Sequence, residues 1–304
     1  MLKPKITVGL GAVDDYIPFV KAGADEVYCG FISEELLISF GMMPAVNRRE
    51  VYYYPVQIGS LNELRILSKM RDTYQVPVTI TLNNICYHPK QLPLLIRMIR
   101  TCMSLGFKRF IIGDWHLLQI IQQDESLHDV EIHLSGEAGE LNSYTLELLK
   151  NVKRIILHRQ MDLSSLDTLI DDRFNYEAFI LNEKCQFFGA YCMSFHCDEM
   201  RPLCRINYQM EQSLKEDSFE YVDGMIGQSG CGLCALWRLV HLGVEYFKIV
   251  SRGNYAQDTI NDIKTLKKAI NLLTQANSEE MYKRILKEKL FKNGCSHNCY
   301  YGIF

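Results

Sequence analysis

Six of the chain's 11 cysteines fall within residues 182–244. Cys185, Cys192, Cys197 and Cys204 are separated by six, four and six residues, while Cys231 and Cys234 form a C-x2-C pair. A further pair, Cys295 and Cys299, brackets His297 in "CSHNC". Thiolates bind soft and borderline metals, chiefly zinc and iron–sulfur clusters. Structural zinc usually takes closely paired knuckles, whereas four-cysteine cluster ligation accepts irregular spacing. The loose spacing of the first four cysteines therefore points to an iron–sulfur cluster, with zinc as the alternative. Cys295 and Cys299 are either part of a second site, completed by Cys231 or Cys197, or a fortuitous pair in a tail. Cys29, Cys86 and Cys102 are scattered, and a lone cysteine is most often a small core residue. Cys29 ends a strand and faces the mouth expected below.

Disulfides are not the expected use of these thiols. No long apolar leader follows "MLKPK", and no run approaches the ~20 apolar residues of a membrane span. The expected location is cytoplasmic, where thiols stay reduced. An odd total of 11 also cannot pair completely. Hydrophobic residues make up 48% and charged residues 23%, an ordinary balance for a globular enzyme-sized chain. A net charge of −3 gives no global drive toward nucleic acid or anionic membrane.

The elements that must position the cysteines are strands alternating with helices. Apolar runs at 6–11, 25–30, 76–83, 109–114, 130–135, 154–159, 176–181 and 245–252 are expected strands, most separated by amphipathic helical stretches. Continuous apolar strands alternating with helices indicate a parallel sheet. Eight such units in about 250 residues fit a (β/α)8 TIM-like barrel; a doubly wound sheet is the competitor. The expected barrel spans 1–255 and includes a cysteine-rich insertion at 182–244 between strands seven and eight. A helical extension with the terminal cysteine pair spans 256–304. Residues 36–58, with "VYYYPV", elaborate the connection after strand two as an extra edge strand or part of a rim.

In a barrel of this kind, chemistry sits at the carboxyl ends of the strands. Asn83, Asp114, Ser135, Glu137, His158, Arg159, Glu183, Lys248 and Arg252 are the polar residues expected there. Two arginines at a barrel mouth suit a phosphate or carboxylate, so Arg159 and Arg252 lead, with Lys248, Ser135 and Glu137 as further catalytic candidates. The basic amphipathic stretch 281–292 offers a surface for RNA or an acidic partner, or else a solvated face over Ile285, Leu286 and Leu290. The chain has no H-E-x-x-H and no G-x-S-x-G. "GLGA" at 9–12 is a tight turn and not a dinucleotide fingerprint.

Several stretches, in order, resemble the collagenase-like peptidase family, peptidase family U-thirty-two, whose relatives include ubiquinone-hydroxylation accessory proteins and RNA hydroxylation factors. They are "KAGADEVYCG" (21–30), "EIHLSGEAGELNS" (131–143), "VKRIILHRQMDLSSL" (152–166), "YEAFILNEKCQFFGAYC" (176–192), "CRINY" (204–208) and "GLCALWRLVHLGVEYFKIVSRGNY" (232–255). The resemblance implies a (β/α)8-like fold and a [4Fe–4S] cluster held by Cys185, Cys192, Cys204 and Cys234, with Cys197 and Cys231 as alternates. It also implies oxygen-independent hydroxylation, or a related redox modification, of an aromatic ring, nucleobase or peptide. Peptide hydrolysis is the alternative activity. A zinc-stabilised, non-catalytic subunit is the third reading, paired with a paralogue or with itself. The chain departs from the family pattern at Met200, where a cysteine is usual, at Val250 in place of a glutamate, and at "FILN" (179–182), which lacks a histidine.

Overall fold

The computed structural model describes residues 3–40, 46–48, 56–139, 141–184 and 226–301. Eight parallel strands close into a barrel: β1 (Lys5–Gly9), β2 (Glu26–Phe31), β4 (Val78–Leu82), β5 (Arg109–Ile112), β6 (Glu131–Leu134), β7 (Val152–Leu157), β8 (Asn175–Leu181) and β9 (Tyr246–Ile249). The short β3 (Gln57–Ile58) pairs with Gly30 and Phe31 at the carboxyl end of β2. Closure comes from β1, which pairs with both β2 and β9. Strands buried on both faces read as near-continuous apolar runs rather than alternating ones. That is the pattern of "VTITL" in β4 and "EVYCGF" in β2, which are buried throughout.

Helices cover the outside, and several starts are set by side-chain caps. Ser60 Oγ accepts from the Glu63 N–H at 3.2 Å to open the helix Leu61–Tyr74, and Glu63 reaches back to the Gly59 N–H. Asp15 makes no such bond at the helix Tyr16–Ala22, where a 3-10 turn over Val13–Asp15 leads in instead. The expected extension opens with the helix Ala256–Leu272. This packs against β1 and the helix Tyr16–Ala22, and so fills the eighth helical position around the barrel.

The lower barrel interior is ionic. Arg154 donates to both Glu26 oxygens, at 2.8 and 3.0 Å, and to Glu177 at 2.8 Å. Lys248 reaches Glu177 at 2.6 Å, and Thr79 and Arg109 each reach Glu26 at 3.0 Å. The Arg154 guanidinium also stacks on Tyr246, 3.4 Å from the ring centre. Burial alone raises the Glu26 carboxyl, but Arg154, then His133 and Arg109, outweigh it and hold the group at about 2. Burial lowers His133 against the opposing pull of Glu131, whose carboxylate lies 2.8 Å from its Nε2. Glu26, His133 and Glu177 are close enough together to cradle a metal ion, but the guanidinium of Arg154 already bridges the two carboxylates. Buried charges persist when they are paired and hydrogen-bonded to this extent.

Candidate functional site at the carboxyl ends of the strands

The mouth is built from the chain just beyond each strand. After β9, Arg252 turns inward and its Nη1 donates to Thr81 Oγ1 at 3.3 Å. It passes so close to β2 that a Cβ on Gly30 would lie 3.1 Å from Arg252 Nη1 and 3.1 Å from Asn47 Nδ2. Only glycine fits there without displacing them. Residues 46–48 cross the ends of β2 and β4, tied down by Arg48 N–H to Asn83 Oδ1 at 3.3 Å and Asn83 N–H to Asn47 Oδ1 at 3.3 Å. Arg48 faces Glu137 at 3.7 Å, both largely buried. Beyond β7, Arg159 lies over the Phe179 ring at 4.3 Å.

The expected site residues divide. Arg159, Arg252, Ser135, Glu137 and His158 lie just past the carboxyl ends of their strands. Ser135 Oγ accepts from the Glu137 N–H at 3.1 Å, and His158 Nδ1 accepts from the Gln160 N–H at 3.2 Å. Asn83 and Asp114 serve the backbone: Asp114 caps the helix Trp115–Gln123 through the Leu117 N–H at 2.6 Å and accepts from the Tyr87 N–H at 3.0 Å. Lys248 lies deeper, its ammonium committed to Glu177 and placed 3.7 Å from the Tyr28 ring centre. Arg48 was not among the sequence candidates. It follows none of the strands expected from the sequence, and only the closed barrel shows that its segment crosses the mouth.

At the end of β8 the chain enters two left-handed residues, Asn182 (φ 72°) and Glu183 (φ 56°). Non-glycine residues adopt that region only where their surroundings enforce it. Here Asn182 N–H bonds Gly230 O at 3.0 Å, and the Asn182 side chain donates to Asp262 at 2.7 Å and to Val250 O at 3.2 Å. Burial raises Asp262 to about 6. Beyond this corner, Cys185, Cys192, Cys197 and Cys204 lie outside the described residues.

The other insertion cysteines are described. Cys231 N–H donates to Asn298 O at 2.9 Å, and Tyr300 N–H donates to Cys231 O at 2.8 Å. This sets Cys231 opposite Cys299 in a parallel bridge. Cys234, in the 3-10 turn Leu233–Ala235, has its thiol pushed up to about 11 by burial and then by Cys295 and Cys299. The expected basic stretch is the helix Glu279–Leu290, with Leu286 buried and Lys283 and Lys287 near Cys234. Of the scattered cysteines, Cys29 and Cys102 are buried. Burial lifts the Cys29 thiol to about 12 despite Arg252 nearby. Cys86 is exposed, because the chain has left the barrel wall beyond β4 by that point, so the core reading fails there.

A closed parallel barrel with a polar carboxyl-end mouth defines the chain as a (β/α)8 protein of the TIM-like class. The family model of peptidase family U32 matches residues 11–302, and the chain belongs to that family. The structure is similar to that of the U32 peptidase Mk0906, with a TM-score of 0.50 and 9% identity over 83% of this chain and 94% of that one. It is also similar to thiamine phosphate pyrophosphorylase from Pyrococcus furiosus, with a TM-score of 0.47 and 10% identity over 88% of this chain and 96% of that one. At such identities the likeness is one of fold. No curated relative matches the chain.

Proposed function

We propose that this U32 family member is an iron–sulfur oxidoreductase whose barrel mouth binds an anionic substrate. The observation that carries the reading is the set of arginines at the carboxyl-end rim, Arg48, Arg159 and Arg252, set among buried polar groups. A guanidinium in a water-poor mouth is suited to a phosphate or carboxylate. The family resemblance supplies the reaction class: oxygen-independent hydroxylation or a related redox change of an aromatic ring, nucleobase or peptide.

Of the four cysteines that the resemblance implies as [4Fe–4S] ligands, Cys234 is the one among the described residues. It lies in the turn Leu233–Ala235 just before the helix Leu236–His241, and a thiolate is the kind of soft donor iron–sulfur chemistry uses. Cys185, Cys192, Cys204 and Cys234 would hold the cluster, which supplies one-electron transfer when bound. The arginines orient the substrate's anionic group. Hydroxylation with water as the oxygen source replaces C–H by C–OH and releases two electrons and two protons, so the reading requires an external electron acceptor.

Peptide hydrolysis, suggested by the family name, is the second reading. His158 Nδ1 accepts a backbone N–H, so in the neutral ring Nε2 carries the proton. That is the wrong tautomer for Nε2 to serve as base to a serine such as Ser135. The test is iron and sulfide analysis of anaerobically prepared protein, with about four of each per chain expected. Colourless protein lacking both after reconstitution overturns the redox reading. Peptide hydrolysis by metal-free protein, lost in Ser135→Ala, establishes the second. For the mouth, Arg252→Ala is expected to weaken binding of inorganic phosphate or a nucleoside monophosphate at least tenfold by calorimetry; unchanged binding removes the anion assignment.

A further inference from the structure

We propose that Tyr301 is a positioning residue for Arg159, so that the segment 295–301 reaches back to the barrel mouth and sets one of its anion-binding guanidiniums. The inference rests on the anion reading of the mouth. Two bonds carry it. The Tyr301 N–H donates to the Arg159 carbonyl at 3.1 Å, and the Tyr301 hydroxyl donates to the Phe179 carbonyl at 2.7 Å. Arg159 in turn lies over the Phe179 ring, 4.3 Å from its centre. A single residue thus holds both the backbone from which Arg159 departs and the strand whose ring lies beneath its guanidinium. A guanidinium is attracted to the face of an aromatic ring, so moving the ring moves the charge.

The local backbone is shaped for this contact. β8 shifts register against β9 between Phe179 and Leu181, and such irregularities at barrel rims re-aim side chains. The carbonyl that Tyr301 takes lies at that shift. Gly232 passes close by: a Cβ there would lie 3.1 Å from the Tyr300 ring, 3.2 Å from the Tyr301 ring and 3.3 Å from the Phe179 carbonyl. Tyr301 itself is buried and stands at φ 60°. A bulky residue keeps that left-handed conformation only where its surroundings enforce it. Burial pushes its phenol up, so the hydroxyl keeps its proton for donation. The residues before it anchor the segment. Ser296 Oγ donates to Gly227 O at 3.0 Å, Asn298 Nδ2 donates to Gln228 O at 3.2 Å, and the Tyr300 hydroxyl donates to Asn182 O. The Tyr300 and Tyr301 rings meet edge to face, their centres 6.0 Å apart. Arg252 rests on Thr81 and Arg48 faces Glu137, all at the rim. Arg159 draws its support from far along the chain.

The experiment is a double-mutant cycle on the full chain, read by calorimetric binding of inorganic phosphate and by arginine modification. Tyr301→Phe keeps the ring and the N–H and removes only the hydroxyl. It is expected to weaken phosphate binding about threefold or more, in the range of coupled neighbours, and to have no further effect once Arg159→Ala is present. Tyr282→Phe, which removes a buried hydroxyl bonded to Ala269 O at 3.4 Å, is the control expected to leave binding unchanged. Unchanged affinity in Tyr301→Phe, or the same loss with and without Arg159, overturns the proposal. Modification by phenylglyoxal, mapped by peptide mass analysis below the onset of unfolding, reads the same contact without any anion. Arg159 is expected to react faster in Tyr301→Phe than in wild type, with Arg252 unchanged. Wild-type protein that binds no phosphate removes the anion reading of the mouth, and the labelling then decides the positioning by itself. Equal Arg159 labelling in the two proteins overturns the proposal whatever the phosphate result.

Discussion

At the scale of single residues, the barrel's stability turns on a few charges that composition conceals. Glu177→Gln removes the carboxylate partner of Lys248 and one of the two partners of Arg154, leaving the buried Lys248 ammonium without its bonded carboxylate. Breaking such a pair costs about 3–5 kcal/mol, so the urea midpoint is expected to fall accordingly. Glu35→Gln, at the exposed pair with Arg97, serves as the control that leaves it nearly unmoved. The same network predicts an acid limb. Glu26 is held at about 2 against an ordinary 4.5. Its contribution is therefore complete above pH 4.5 and lost as pH falls from there toward 2, because the unfolded chain takes up the proton first. The shift corresponds to about 3 kcal/mol, and thermal melts between pH 5 and 3 should steepen in wild type more than in Glu26→Gln. The network left a trace in the sequence. "EVYCGF" and "YEAFIL" each carry one charge in an otherwise apolar strand, and "VKRIIL" carries two, of which Arg154 is buried and Lys153 exposed; a lone buried charge would be costly. Which charges meet was not legible, since it depends on how the strands stagger around the barrel.

At the scale of elements, all eight strands stood out because strands buried on both faces are continuous apolar runs. Their ends shifted by a few residues, as at 154–159, where β7 runs over Val152–Leu157. Loop-built parts were less readable. The C-x2-C and C-x3-C pairs were visible, but local spacing carries no information about long-range pairing. Cys197 and Cys231 were therefore equally good partners for the terminal pair on paper. Between those two, the structure sets the backbone of Cys231 opposite Cys299, while Cys197 lies outside the described residues. The tail's hold on the barrel is testable apart from any metal. Tyr300→Ala or Tyr301→Ala removes a buried aromatic ring and is expected to cost about 3–5 kcal/mol, measured on metal-free protein by chemical denaturation. A loss well below 1 kcal/mol would mean that the tail merely rests on the surface.

At the scale of the whole molecule, closure is the property on which everything else depends. The seam runs through β1, pinned by β9 on one side and β2 on the other, and the helix Ala256–Leu272 covers it from outside. Ile263, Leu266 and Ala269 of that helix are fully buried. A chain truncated after Tyr255 would expose this apolar seam and is expected to be insoluble or to bind a hydrophobic dye strongly, whereas removing only 302–304 should leave a folded barrel. The closed mouth also explains why its arginines come from stretches of chain so far apart. A ring of parallel strands delivers every carboxyl end to one face, whatever the spacing in sequence.

The seating of residues 295–301 against Cys231 has a consequence for the order of assembly. A ribosome releases the chain from its amino end at about 5–20 residues per second. All barrel strands and the C-x2-C pair therefore emerge seconds before Cys295 and Cys299. During that interval the backbone of Cys231 has neither Asn298 nor Tyr300 to bond. Docking of residues 295–301 is thus a late event that follows synthesis of the barrel strands. A bulky fusion placed directly after Tyr301 would delay or block that docking without touching a single strand.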